Sequence, residues 1–377
     1  MAYTLSVPFF PLFLQQNLGL EQGLEVWSGT AISISFLVSG LCAPYWGSLA
    51  DRFGSKPMLV RSGIGLALAH LANYFAYDLF TFMLVRVFQG VMAGFSPASM
   101  SLVGTNTPEK HVGYALGVIS TSTAAGGIVG PLAGGILSQW IGLRGCFIAS
   151  GVITLLSAVI VLGVKEVHER REAGRTSLLQ DLRRAAATPL LLRIYGLILL
   201  VSVSVLIVEP LLTLYVVELG ADASNAALSS GIVFSAVGVA TVLTGAFWGR
   251  LGGRLGLGRT LLIGLLGGGI GNLLQAAVSG IAVFAGLRFV YGLFFAAVYP
   301  ALNALIIQHA DRDFRGRAVS LSQSASQFGI VLGPLLGGVL GGWIGIPLVF
   351  LLTGVSLLGA AWTVRASRFD RKGATER

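Results

Sequence analysis

Eleven apolar stretches of about twenty residues lie at approximately 27–49, 58–77, 80–104, 112–138, 145–164, 191–217, 227–251, 259–279, 282–306, 315–341 and 345–364, after a shorter one at 1–16. At 1.5 Å of rise per residue, about twenty helical residues cross the roughly 30 Å of hydrocarbon in a bilayer. Each full stretch therefore reads as a membrane-crossing helix. Composition agrees: of 377 residues, 54% are hydrophobic and 11% charged, against roughly a quarter charged in an ordinary soluble domain. The fold class expected is an all-α membrane protein of twelve transmembrane helices in two six-helix bundles, with the first helix cut short.

Net charge +9 and a pI near 9.9 raise the question of nucleic-acid binding. Charge distribution answers it. When alternate loops are assigned to opposite sides of the membrane, all but three of the 25 lysines and arginines fall on one side. The exceptions are Arg144, alone on the other side, and Arg86 and Arg288, which lie inside helices. Such a split follows the positive-inside rule and would collapse with one span miscounted. It predicts a multi-pass protein of the cell (inner or plasma) membrane with both termini cytoplasmic, touching lipids and not nucleic acid. Binding of the basic loop 165–190 to anionic headgroups is the lesser reading.

The chain also repeats itself. Gly47-Ser48-Leu49-Ala50-Asp51-Arg52-Phe53-Gly54 returns as Gly249-Arg250-Leu251-Gly252-Gly253-Arg254-Leu255-Gly256, a shift of 202. Trp46 recurs as Trp248, Arg86 as Arg288 and Gly90 as Gly292, while Pro97 recurs as Pro300 and Gly130-Pro131 as Gly333-Pro334 at a shift of 203. A shift held over so long a stretch indicates an internal duplication. The expected organisation is an N-terminal bundle at 1–164, a cytoplasmic linker at 165–190, and a C-terminal bundle with a cytoplasmic tail at 191–377. Within the linker, Leu178, Leu179 and Leu182 beside Arg183 and Arg184 suggest a short surface helix. Aligning Gly19 with Gly220 sets Met1 opposite Ser202 and Pro8 opposite Glu209, so the first helix is expected to be short by about ten residues, through either a start further upstream or a truncated chain. No basic region precedes that segment and no small-residue cleavage site follows it, which argues against a signal peptide.

The loop between the second and third spans carries Gly47, Asp51, Arg52, Gly54 and Lys56, a compact polar turn in which glycines allow tight turning and Asp51 can cap a helix or pair with a base. It resembles the loop motif of the major facilitator superfamily, Gly-x-Leu-Ala-Asp-Arg-x-Gly-Arg-Lys, departing where Ser55 replaces the first basic residue. Gly253 stands opposite Asp51, so a charge latch would belong to the first copy alone. Gly126, Gly130, Pro131, Gly134 and Gly135 in the fifth span form a groove for a neighbouring helix and a bend. Their full form, Gly-x-x-x-Gly-Pro-x-x-Gly-Gly, resembles the motif that family's antiporters carry, and implies export.

Arg86, several residues inside the fourth span, must find water, a carboxylate or a carbonyl, or else snorkel to the surface; the resemblance implies a part in proton transfer. Arg288 lies nearer a helix start, where snorkelling and function are equal readings. Glu209 is the carboxylate placed deep in a span, in Ile207-Val208-Glu209-Pro210, and intramembrane acids mark ion or proton pathways by default. It is a candidate for the coupling proton or a cationic substrate, against a protonated acid bonded locally. Phe9, Phe10, Phe13, Phe36, Tyr215, Phe234, Phe294, Phe295 and Tyr299, with Asn303, Gln323 and Gln327, are candidates to line a roomy pocket, although most membrane aromatics only pack. Within this set Phe10, Phe36, Phe234, Tyr299, Asn303, Gln323 and Gln327 are favoured.

The resemblance extends over nearly the whole chain and points to the drug/proton antiporter branch. It implies a monomeric secondary transporter, not an enzyme, that exports small amphipathic, often cationic compounds by alternating access. The proton gradient would supply the energy, without a cofactor. Cys42 and Cys146 lie far apart, without metal spacing, and no nucleophile–base pair or phosphate loop occurs. Two alternatives share these features: a transporter of sugars or other metabolites, and a non-transporting or inactive truncated membrane protein.

Overall fold

The computed structural model describes residues 1–166, 188–222, 224–311 and 314–367. Most of the expected linker and the end of the tail lie outside them, as does the expected surface helix around Leu178. The described residues are helical and fall into two compact units, one from Met1 to Ala173 with Ala221–Ser235, the other from Gly174 to Gly220 with Ala236–Arg377. The helices are α1 (Ala2–Ser6), α2 (Phe10–Leu18), α3 (Leu24–Phe53), α4 (Ser55–Tyr74), α5 (Leu79–Met92), α6 (Phe95–Asn106) and α7 (Glu109–Leu162). The second half contains α8 (Pro189–Leu206), α9 (Leu212–Glu218), α10 (Ala226–Leu255), α11 (Leu257–Gln275), α12 (Ile281–Phe295), α13 (Val298–His309), α14 (Arg315–Ile344) and α15 (Ile346–Ser367). Nine helical stretches among the described residues are long and apolar enough to cross a membrane, by length and composition.

Glycines set the turns between spans. Helix α7 contains two spans, because Gly142 at φ 71° and ψ 170° leaves helical geometry in its middle. Gly345, at φ 83° and ψ 155°, separates α14 from α15 in the same way. Both conformations are costly for a residue with a Cβ. Two spans expected to be continuous are broken: α5 gives way to α6 at Ala93 and Gly94, and α12 to α13 at Ala296 and Ala297. Pro97 and Pro300 stand in the first turns of the restarted helices, where a missing N–H leaves no intrahelical bond unmade.

The first and seventh spans are broken by proline as well. A 3-10 turn at Val7–Phe9 joins α1 to α2, and another at Glu209–Leu211 joins α8 to α9. Proline has no N–H to give the carbonyl four residues back, so the α-helix is interrupted there. Pro8 and Pro210 occupy equivalent places in these turns, which corrects the alignment through Gly19 and Gly220. Glu209 stands opposite Val7, at the shift of 202. The one-residue slip falls later, where α2 is capped directly by Gly19 whereas α9 is capped by Leu219 ahead of Gly220.

Packing repeats with the sequence. Phe13 meets Phe82 and Phe147 with ring centroids 5.4 and 5.0 Å apart. Their counterparts Tyr215, Phe284 and Phe350 form the same trio at 5.0, 5.2 and 5.7 Å. Gly90 lies against the Ser35 carbonyl and Gly292 against that of Val237, each too close for a Cβ. These contacts hold α5 on α3 and α12 on α10.

Candidate functional site

In the C-terminal unit the broken seventh span carries Glu209. Its turn follows the end of α8, where the Ile207 N–H bonds the Val203 carbonyl at 2.8 Å, and is closed by the Leu211 N–H on the Val208 carbonyl at 3.0 Å. Gly337 of α14 packs on the Ile207 carbonyl, so the antiporter-like glycine of the second copy seats the residue just before the break. Glu209 and Arg288 lie within electrostatic reach of one another. The Arg288 Nε is buried and has no hydrogen-bond partner among the described residues, while its guanidinium lies 5.4 Å from the Tyr291 ring centre.

From there an aromatic and hydroxyl series continues. Tyr291 stacks on Phe295 at 5.0 Å, and Phe295 meets Tyr299 edge-on at 5.9 Å. The Tyr299 hydroxyl lies 3.2 Å from Ser202 Oγ, which is 3.3 Å from Ser326 Oγ. Tyr299 is thus joined to a hydroxyl cluster of Ser202 and Ser326, whereas the sequence reading sets it with Asn303, Gln323 and Gln327. Asn303 lies one turn beyond it on α13 and is half-buried, and Gln323 and Gln327 on α14 are exposed. Tyr291, Ser202 and Ser326 were not among the sequence candidates; the spacing of Arg288 and Tyr291, three apart on one helical face, was the available signal.

In the N-terminal unit Arg86 is 1% exposed, which removes snorkelling as its account. Its guanidinium lies 4.7 and 5.1 Å from the Phe10 and Phe82 ring centres. Phe10 is itself 1% exposed and also packs on Phe147, so it belongs to the core around Arg86 and presents no free face. Phe9, Phe13 and Tyr215 are likewise buried. Phe36 is half-buried and meets Tyr3 edge-on at 5.8 Å, and Phe234 is half-buried in α10.

The loop motif forms a clasp. Gly54 turns at φ 97° between α3 and α4, and the Glu166 carboxylate accepts hydrogen bonds from the Ser55 and Lys56 N–H groups at 2.6 and 3.1 Å. A carboxylate there satisfies orphan donors and complements the positive helix start. Gly54 is required twice over, since a Cβ would also meet Glu166. Lys56 Nζ donates to the Leu162 carbonyl at 2.8 Å, and Asn106 Nδ2 to that of Lys165 at 2.6 Å. Asp51 and Arg52 are exposed, with the Arg52 guanidinium over Phe53, and Gly47 adds no close contact. Sequence reasoning allows Asp51 to cap a helix or pair with a base; at the start of α4 the acceptor is Glu166, more than 100 residues away, which no local pattern reveals.

The glycines of α7 form two faces. At Gly126, Gly130 and Gly134 a Cβ would meet Met1, Thr4 and Leu5 of the first helix, and Thr4 Oγ1 donates to the Gly126 carbonyl at 2.8 Å. Gly135 lies against Ala227 and Leu228, and the Pro131 carbonyl against Gly231, while Ser235 Oγ donates to Ile128 O at 2.6 Å. These glycines carry α1 on one side and, on the other, the first residues of α10 up to Ser235, which belong to the same compact unit.

The sequence model of the Major Facilitator Superfamily matches residues 1–245 and 222–377. The chain belongs to that superfamily. It is similar to a "Multidrug resistance protein MdtG" of Salmonella dublin, 34% identical over 380 residues, covering 98% of this chain and 93% of the relative. A protein of the same name from Escherichia coli is 33% identical over 375 residues, covering 98% and 92%. Among solved structures, a bacterial homolog of the human lysosomal transporter Spinster matches with a TM-score of 0.79 at 16% identity, covering 98% and 95%. A D-xylose-proton symporter matches at 0.74 and 16%, covering 96% and 93%. This superfamily member thus has the fold of these transporters, helical in its described residues and multi-pass in the membrane, and its work is transport rather than enzymatic conversion.

Proposed function

We propose that this transporter exports small amphipathic compounds, many of them cationic, in exchange for protons. The observation that carries the reading is the likeness, over 98% of the chain, to proteins named for multidrug resistance. The glycine groove of α7 supports the outward direction. Glu209 supports the coupling: it is a carboxyl in a proline-broken span, within electrostatic reach of Arg288, from which a series of rings and hydroxyls continues. Protonation of Glu209 removes a charge from that group, while deprotonation restores an anion able to attract a cation. Arg86 and Arg288 anchor the interior of their own units, the clasp at Gly54 and Glu166 governs the loop end of the N-terminal unit, and Tyr299, Asn303, Gln323 and Gln327 offer rings and amides to the compound. The protein works as a monomer in the cell membrane with both termini cytoplasmic.

Accumulation of a fluorescent lipophilic cation in cells with and without the protein tests this reading. Expression lowers accumulation, and an uncoupler abolishes the difference. Greater accumulation on expression would instead indicate an importer.

A further inference from the structure

The two intramembrane arginines keep different company. Arg288 has Glu209 within electrostatic reach. At the shift of 202 that carries Arg86 to Arg288 and Pro8 to Pro210, the counterpart of Glu209 is Val7. Among the described residues the group of opposite polarity that reaches Arg86 is the Tyr3 phenol, and a phenol ionises only near pH 10 in water. A guanidinium keeps its charge in any protein setting. Phe10 and Phe82 offer ring faces, which offset part of the cost of burial, yet a buried charge without a counter-charge is strongly unfavourable. Arg86 Nε and Nη2 are both buried and without a partner among the described residues. Those two nitrogens form one edge of the guanidinium, the edge that takes a carboxylate through two parallel hydrogen bonds. His70, 2% exposed with Nδ1 unpartnered, interacts electrostatically with Arg86 and belongs to the same interior.

We propose that the N-terminal unit binds a small monovalent anion, a carboxylate group or a halide, on Nε and Nη2 of Arg86, filling the electrostatic role that Glu209 has toward Arg288. The site is separate from Glu209 and stands whichever way the transported compound moves.

Thermal unfolding of the purified full chain in detergent, at one ionic strength in sodium chloride, formate or isethionate, tests the proposal. Chloride and formate, each small enough to meet one guanidinium edge, raise the melting temperature by roughly 2 °C or more over bulky isethionate, because an anion that binds only the folded form stabilises it. Val7→Glu supplies the carboxylate from the chain and removes the salt difference. Arg86→Gln removes it too, and decides the matter if Val7→Glu does not fold. Equal melting in the three salts, or a difference that persists in Arg86→Gln, overturns the proposal. Proteoliposome transport separates the two sources. A halide makes transport of every compound chloride-dependent, whereas a substrate carboxylate makes Val7→Glu block carboxylate-bearing compounds and spare a cationic dye.

Discussion

The loop ends of α3 and α10 are built on one plan and finished differently. Gly54 and Gly256 turn at φ 97° and 92°, and the indoles of Trp46 and Trp248 donate to the Val91 and Leu293 carbonyls at 2.8 and 2.6 Å. On this frame the N-terminal unit adds charge: Glu166 on the start of α4, and Arg61, which lies 3.5 Å from the Trp46 ring centre and donates to the Ala93 carbonyl at 2.9 Å. The C-terminal unit has Leu257 and Ile263 opposite Ser55 and Arg61, and Trp248 packs with Ala296, Ala297 and Ile263. What both copies keep is the geometry of a six-helix unit. What one copy alone has is where the two units differ in charge, and Glu209 opposite Val7 is the sharpest such difference.

The largest effect is expected where both copies need a glycine. Gly134→Val and Gly337→Val each force a side chain onto the backbone of the preceding broken helix, at Leu5 and Ile207. Overpacking of this kind costs about 3 kcal/mol, so both variants should yield little monodisperse protein in size exclusion; failure of only one would break the equivalence of the two grooves. Next comes Glu166→Ala, which leaves two helix-start donors without their acceptor and should cost about 1 kcal/mol in thermal unfolding. Smaller and equal losses, about 0.5 kcal/mol each, are expected from Trp46→Phe and Trp248→Phe by the same measurement; unequal losses would show that the two indoles are not doing the same job.

The smallest effect sharpens the contrast further. Asp78 caps α5 by accepting from the Thr81 N–H and hydroxyl at 2.8 and 2.7 Å, and those bonds hold its carboxyl below the usual carboxylate range. Its folded value is depressed, so its contribution is present above the unfolded value, about pH 4, and fades as pH falls through the folded one. Gly280, its counterpart, starts α12 with no side-chain cap. Gly280→Asp should raise stability by about 0.3 kcal/mol, with the gain disappearing in acid; a gain unchanged at pH 3 would mean the new carboxylate is not capping.

The apolar helices, the internal duplication and the placing of Arg86 and Glu209 within spans were legible in the sequence, because they rest on apolar length and on charge where charge is costly. The helix breaks at Gly94 and Ala297 were not, since an apolar run looks the same whether or not it restarts within the membrane. Glu166 was hidden by chain distance, and the Phe13 and Tyr215 trios by the fact that an aromatic in a core and one in a pocket have the same sequence signature. The register of Glu209 depended on where a one-residue slip was placed, and only the two proline turns located it.

Proton-driven transport through Glu209 is tested most directly in proteoliposomes under an imposed pH gradient, comparing wild type with Glu209→Gln. The account predicts that the gradient drives a lipophilic cation against its concentration in wild type, and that Glu209→Gln loses this drive while still exchanging the compound across the membrane. A Glu209→Gln protein driven as strongly as wild type, with the same pH dependence, would contradict it.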